Sequence, residues 1–227
     1  MTNWDKIAAS YNAVLDSRKT YVFSHVRRLV VESQPRTLLD FGCGDGLFSV
    51  SCAALIPSIF NYDISPGMLS IARSNCAPLK NIQVIDTLES LASGSCDVVT
   101  LNAVWMCLST NDDCLNVLGS VMRVLAPKGR FIASFTHPCF RDQQFSTYKT
   151  DFDQRNYLSN GTRFKVQIFD GSRHVELEDT HWNFSAMSHQ LEAAGFAIRR
   201  LTELADAPPG AGSPWTVLSA IKDDRLL

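Results

Sequence analysis

The sequence has no run of apolar residues approaching the length of a bilayer span, and its opening residues, Met1-Thr2-Asn3-Trp4-Asp5, lack the basic-then-apolar profile of a signal peptide. No membrane partner is expected, and a cytoplasmic location is. Its seven cysteines are odd in number and form no C-x-x-C pair, which disfavours a disulfide framework or zinc site and suits scattered thiols in a reducing compartment. Basic residues are not in excess: 21 Lys and Arg face 23 Asp and Glu for a net charge of −2. Arg27-Arg28 and Arg199-Arg200 are isolated pairs rather than a stripe, so no nucleic-acid partner is expected. Internal repeats, low-complexity segments and a domain linker are also missing. With 45% of its 227 residues hydrophobic, the chain can bury a substantial core as one domain, 1–227.

What is present alternates between two periodicities. Trp4, Ile7, Ala8, Tyr11, Val14 and Leu15 share a helical face, and Phe23, Val26 and Val30 mark a second helix. Strands are expected at 37–41, 58–62, 82–85, 97–101 and 130–135, with helices between them. Ser65 reads as an N-cap with Pro66 at the first helical position, and Ala126-Pro127-Lys128-Gly129 as a turn into the fifth strand. Such alternation implies a parallel sheet covered on both faces. Residues 136–182 break the pattern: they are rich in aromatics and contain an expected hairpin, 164–169 with 174–178, turned at Asp170-Gly171, which reads as an inserted cap. A helix over 185–194 and an edge hairpin of strands 197–204 and 216–221 follow.

In "LLDFGCGDG", residues 38–46, glycines stand at 42, 44 and 46 between a strand and a helix. A turn stripped of side chains there lets a ligand approach the main chain. A dinucleotide fingerprint would need glycine at 47, where Leu47 stands, and a P-loop would end in Gly-Lys-Ser/Thr, which is missing. Instead Asp40 lies at the end of the first strand, Asp63 at the end of the second and Asp86 at the end of the third. The three acids meet at the carboxyl edge of the sheet, where open α/β folds bind ligands.

This ordered set resembles the class I S-adenosylmethionine-dependent methyltransferases of small-molecule type. "LLDFGCGDG" is similar to their first motif, "NYDISPGMLSIAR" to their second-strand acid and its helix, and "VMRVLAPKGRF" to the helix and turn before their fifth strand. The resemblance covers nearly the whole chain. It implies a Rossmann-like three-layer α/β sandwich with a seven-stranded, mostly parallel sheet, an N-terminal helical flap over 1–34 and an acceptor-side β-hairpin cap over 136–182. It also implies S-adenosylmethionine as cofactor. Gly42, Gly44 and Gly46 would pass close to its methionyl part, Asp40 would orient its ammonium and Asp63 would take the ribose hydroxyls. Ile64 and Met68 would flank the adenine, Asp86 would accept from its exocyclic amine beside Thr87 and Leu88, and Asn102 and Ala103 would lie under the sulfonium. Tyr11, on the flap, joins this set. Ordinary capping roles are the alternative for Asp40, Asp63 and Asp86, and plain packing is the alternative to a pocket wall for Trp105.

Methyl transfer from a sulfonium requires the protein to align an acceptor lone pair, exclude water and remove any acceptor proton. The fourth strand ends "LNAVWM" rather than in the Asn/Asp-Pro-Pro-Tyr/Phe motif of enzymes acting on exocyclic amines of bases or amides. Asp112 and Asp113 are too few for a metal centre, so no metal is expected. His137, in "SFTHPCF", and His181, in "EDTHWNF", are the base candidates, with a hydrogen-bonded structural histidine as the alternative for each. Tyr148, Arg155 and Tyr157 suit an anionic or aromatic acceptor or a surface role. The expected reaction is methylation of an oxygen or nitrogen of a small-molecule acceptor, with homodimer formation left open. A different reaction on the same cofactor, or a binding module without catalysis, are the alternatives.

Overall fold

The computed structural model describes residues 4–5, 17–145, 148–170, 173–205 and 214–223. Tyr11, most of the expected opening helix and the hairpin turn residue Gly171 therefore lie outside the described residues.

Helix α1 (Ser17–Glu32) buries Val22, Val26, Leu29 and Val30, spaced so that one stripe meets the sheet. Strand β1 (Thr37–Phe41) follows, then α2 (Leu47–Cys52), β2 (Ser58–Tyr62), α3 (Pro66–Cys76) and β3 (Ile82–Ile85). At the start of α3 the Ser65 hydroxyl accepts from the Met68 amide at 3.2 Å, with Pro66 just inside the helix. Strand β4 (Cys96–Asn102) leads to α4 (Asn111–Val124), which opens with a capping box between Thr110 and Asp113.

Strand β5 spans Leu125–Thr136 and absorbs the expected turn. Leu125 pairs with Cys96 and Arg130 with Val98, so the residues around Pro127 form an irregularity inside the strand rather than a break before it. Helix α5 (Phe184–Ala193) precedes β9 (Phe196–Leu204) and β10 (Trp215–Lys222). The sheet order is β3-β2-β1-β4-β5-β10-β9, with β10 antiparallel to both neighbours. The terminal pair is thus a hairpin at the sheet edge as expected, with β10 between β5 and β9, so that of these two strands β9 is the outer one. Burial explains the choice, because every residue from Trp215 to Ala220 is buried.

β1 pairs in parallel with β2 on one side and β4 on the other. The strand order reverses there, which opens a crevice at the carboxyl ends of these strands. Over that end lies a second sheet of β6 (Tyr148–Thr150), β7 (Arg163–Asp170) and β8 (Arg173–Thr180), in that order. The expected hairpin is β7 with β8, and β6 adds a third strand. Phe145, Tyr148, Phe152, Phe164, Val166, Ile168 and Val175 give this cap its own apolar core. No helix among the described residues is long and apolar enough to cross a membrane.

Candidate active site

The glycine turn leaves β1 with three left-handed residues, and the glycines do different work. Gly42 has φ +72°, and a Cβ there would meet Val104 Cγ2 at 2.4 Å. Gly46 points away from the crevice: its added Cβ would stand 3.0 Å from Cys76 Sγ and 3.2 Å from Asn61 Nδ2, so it lets α2 pack on α3 and β2. Gly44 lines the crevice, and a Cβ there would meet no atom within 4 Å.

That crevice is a cavity of about 980 Å³ reaching from the glycine turn to the cap sheet. Asp63 is in its wall. Its Oδ2 accepts from the Gly44 amide at 2.9 Å and its Oδ1 from the Ser65 amide at 2.9 Å. Each oxygen keeps a lone pair for a ligand hydroxyl. Burial raises its pKa, the two backbone amides oppose that shift, and Asp5 adds to it. Asp5 itself accepts from Ser65 Oγ at 2.6 Å and the Gly67 amide at 3.2 Å, which ties the N-terminal segment to the start of α3.

A polar row crosses the floor. Asp40, 1% exposed, accepts from Thr100 Oγ1 at 2.7 Å and Asn102 Nδ2 at 3.3 Å; Asn102 Oδ1 accepts in turn from Ser134 Oγ at 3.1 Å. Burial pushes the Asp40 carboxyl up to about 7, against the pull of Thr100 and Asn102. Ala103, next to Asn102, has φ +56°, a left-handed conformation that a non-glycine residue adopts at a cost of order 1–3 kcal/mol. Its amide donates to the Ser134 carbonyl at 2.9 Å, which fixes the bend at the cavity floor.

Residues 39–133 match the family described as "Methyltransferase domain". The N-demethylindolmycin N-methyltransferase of Streptomyces griseus is 28% identical over 70% of this chain and 68% of its own length. The malonyl-[acyl-carrier protein] O-methyltransferase of Hahella chejuensis is 32% identical over 56% of this chain, which spans only 46% of that relative. Among solved structures, an S-adenosylmethionine-dependent methyltransferase from Clostridium acetobutylicum superposes with a TM-score of 0.64 at 15% identity, covering 98% of this chain and 100% of its own, a likeness of fold. The chain carries a methyltransferase domain over residues 39–133 and has the fold of solved S-adenosylmethionine-dependent methyltransferases.

The methyltransferase brings Asp40, Gly42, Gly44, Asp63, Ile64, Met68, Asp86, Thr87, Leu88, Asn102 and Ala103 to one cavity wall, and leaves Gly46 out of it. Met68 is buried and Ile64 is 69% exposed, so only the first is an enclosed apolar contact. Asp86 is exposed and already paired with Arg73 Nη2 at 2.5 Å. The Thr87 hydroxyl accepts from the Glu89 amide and caps a short turn over Leu88–Ser90. Trp105 is fully buried, with its indole N–H donated to Gln190 Oε1 at 3.0 Å; it packs and does not line the cavity.

Neither histidine is in the cavity wall. His137 is 3% exposed, its Nε2 lies 2.6 Å from Glu203 Oε1, and its Nδ1 accepts from the Cys139 amide at 3.1 Å. Burial lowers its pKa although Glu203 opposes the shift. The cause of its placement is the pleat: Ser134 and Thr136 face the cavity, so Phe135 and His137 face the other way, toward Phe184 on α5. His181 is fully buried, stacks on Phe152 and bonds the Tyr157 carbonyl through Nε2 at 2.8 Å, and burial lowers its pKa to about 4. Arg155 is exposed and paired with Asp153, while Tyr148 does line the cavity. Asp5, Thr136 and Asp179 join the site without having been expected from the sequence. Thr136 and Asp179 stand one and two residues from the chosen histidines, a signal that strand alternation carries.

Proposed function

We propose that the methyltransferase transfers a methyl group to an oxygen or nitrogen of a small-molecule acceptor. The observation that supports this reading is that one cavity runs without interruption from the glycine turn to the cap, and its volume of about 980 Å³ is at the upper end of small-ligand sites, room for a cofactor and an acceptor together. When bound, S-adenosylmethionine supplies a methyl group activated by a sulfonium for in-line displacement.

The residues fit that cofactor. Asp63 has spare lone pairs for two ribose hydroxyls, Gly44 leaves the main chain open, Asp40 is a carboxyl within the wall that a bound ammonium would hold ionised, and Met68 would cover the adenine. Asn102 and Ala103 line the cavity floor and would hold the sulfonium end of the cofactor. Ile64, Thr87 and Leu88 border the adenine end; Asp86 serves it only by sharing its carboxylate with Arg73. Gly42 contributes by letting Val104 close on the turn, and Gly46 by joining α2 to α3.

We read 1–227 as a single domain in which 1–34 is a flap, 136–182 is the acceptor-side cap, and no histidine acts as base. One relative is named for an indolmycin precursor and another for an acyl-carrier protein; the cap sheet over the cavity favours the small molecule. Calorimetry decides the cofactor half: S-adenosylhomocysteine binds and NAD does not. Tight NAD binding without S-adenosylhomocysteine binding overturns the proposal, and labelled methyl transfer into metabolite extracts tests the acceptor half.

A further inference from the structure

The start of α3 is completed by a residue from the opening of the chain. Pro66 has no N–H, the Met68 amide donates to Ser65 Oγ and the Leu69 amide to the Ser65 carbonyl at 3.0 Å, which leaves the Gly67 amide as the open donor of the first turn. Asp5 Oδ1 takes that donor at 3.2 Å and the Ser65 hydroxyl at 2.6 Å. One oxygen thus engages two donors, and the helix dipole further favours a carboxylate at this end.

Ser65 connects this contact to the carboxylate in the cavity wall. Its amide donates to Asp63 Oδ1 at 2.9 Å while its hydroxyl donates to Asp5, so two carboxylates are held on either side of one buried serine. The charge of Asp5 opposes the ionisation of Asp63. Trp4 lines the cavity, and because adjoining Cα atoms are ~3.8 Å apart, anchoring Asp5 fixes Trp4 beside the stretch Asp63–Met68. Ile64 in that stretch is 69% exposed, so this end of the cavity has an apolar side that the sheet and α3 do not enclose.

We propose that Asp5 is a clasp: by holding the start of α3 it sets Trp4 as a wall over the ribose and adenine end of a bound S-adenosylmethionine, and so slows its release. The inference rests on the cofactor reading of the cavity and on residues 1–34 as a flap, and it names the residue that fastens the flap. Asp5 is a positioning residue, and Trp4 makes the contact. An indole covers a large apolar area and stacks on the π-face of a base, which suits a purine. The clasp and the cofactor assist each other. Asp5 and Asp63 repel across Ser65, and ribose hydroxyls that donate to Asp63 spread its charge, lower that repulsion and strengthen the hold of Asp5. By linkage the clasp tightens the cofactor by the same factor.

The test uses the full chain and S-adenosylhomocysteine, with affinity from calorimetry, dissociation rate from stopped-flow displacement, and a cooperative thermal transition to report that each variant folds. Asp5→Ala removes the acceptor and is expected to weaken binding about 10-fold, mostly through faster dissociation. Trp4→Ala is expected to weaken it by about the same factor. Asp5→Asn keeps Oδ1 as the acceptor of both donors and sheds the charge that opposes Asp63, so its affinity is expected to stay within about threefold of parental. Because Asp5 acts through Trp4, the double variant Trp4→Ala/Asp5→Ala is expected to lose about 10-fold and not about 100-fold. Parental affinity and dissociation in Asp5→Ala overturn the proposal. So does a loss of about 100-fold in the double variant, which makes Asp5 a cap of α3 independent of Trp4, or a loss in Asp5→Asn equal to that in Asp5→Ala. Failure of the parental protein to bind S-adenosylhomocysteine at all overturns the cofactor reading together with this one, whereas parental binding with unaffected variants overturns the clasp alone.

Discussion

Asp63, at the end of β2, accepts the Gly44 amide of the turn that follows β1 at 2.9 Å. One carboxylate thereby sets the path of the glycine turn and presents itself to the cavity.

Asp63→Asn keeps the shape but replaces one anionic acceptor oxygen with an amide N–H₂, which faces either the Gly44 amide or the Ser65 amide, each itself a donor. S-adenosylhomocysteine affinity is expected to fall about 10-fold or more, from the loss of a charge-assisted bond worth roughly 1.5–3 kcal/mol. Calorimetry on the folded variant checks this; parental affinity would remove Asp63 from the ribose site.

Asp40 makes binding pH-dependent. Burial holds it at about 7 against an ordinary 3.8, so the folded protein binds that proton more readily than the unfolded chain does. Its contribution to stability is fully present below the unfolded value and is lost as pH rises through about 7. The cofactor's ammonium favours the carboxylate, so affinity moves the other way: S-adenosylhomocysteine is expected to bind about 10-fold more weakly at about pH 6 than at about pH 8. Calorimetry at the two pH values reads the difference, and Asp40→Asn should flatten it.

The glycines should separate by phenotype. Gly42→Ala forces a left-handed alanine onto Val104 and is expected to cost about 1–3 kcal/mol or more of stability. Gly44→Ala meets no atom, so it is expected to cost only about 1 kcal/mol and to act on S-adenosylhomocysteine affinity instead. Thermal unfolding with and without ligand distinguishes the two.

His137→Ala and His181→Ala are expected to lower the melting temperature, by about 2–4 °C for each kcal/mol lost, and to leave single-turnover methyl transfer within about threefold of parental. A 100-fold loss of turnover in a stable His137→Ala protein would put the imidazole back in the reaction.

Local features were legible in the chain. Strands β1, β2 and β3 coincide with the expected segments, since each is a short apolar run between turn residues, and Ser65-Pro66 and the three glycines announce their backbone roles by residue type alone. The hairpin cap was readable from alternation on both sides of Asp170-Gly171. The insertion of β10 was not, because a strand's neighbour depends on which edge has buried apolar surface to offer.

Within the cavity the division has the same cause. Asp40, Asp63 and the glycine turn follow from one strand end and one turn each, so the order of residues determined them. Asp86 was assigned from the same kind of signal, but its carboxylate had met Arg73, thirteen positions away, across two folded elements. His137 and His181 carry chemistry that attracts attention in a sequence, yet the pleat and the cap turned both into the interior and brought Thr136 to the cavity in place of its neighbour. Thr136 and Asp179 come from separate sheets, and only the tertiary structure, through Arg141 fastened to both walls, decides that they share one cavity. Backbone conformation is a property of neighbouring residues; the approach of side chains distant in sequence is fixed by packing.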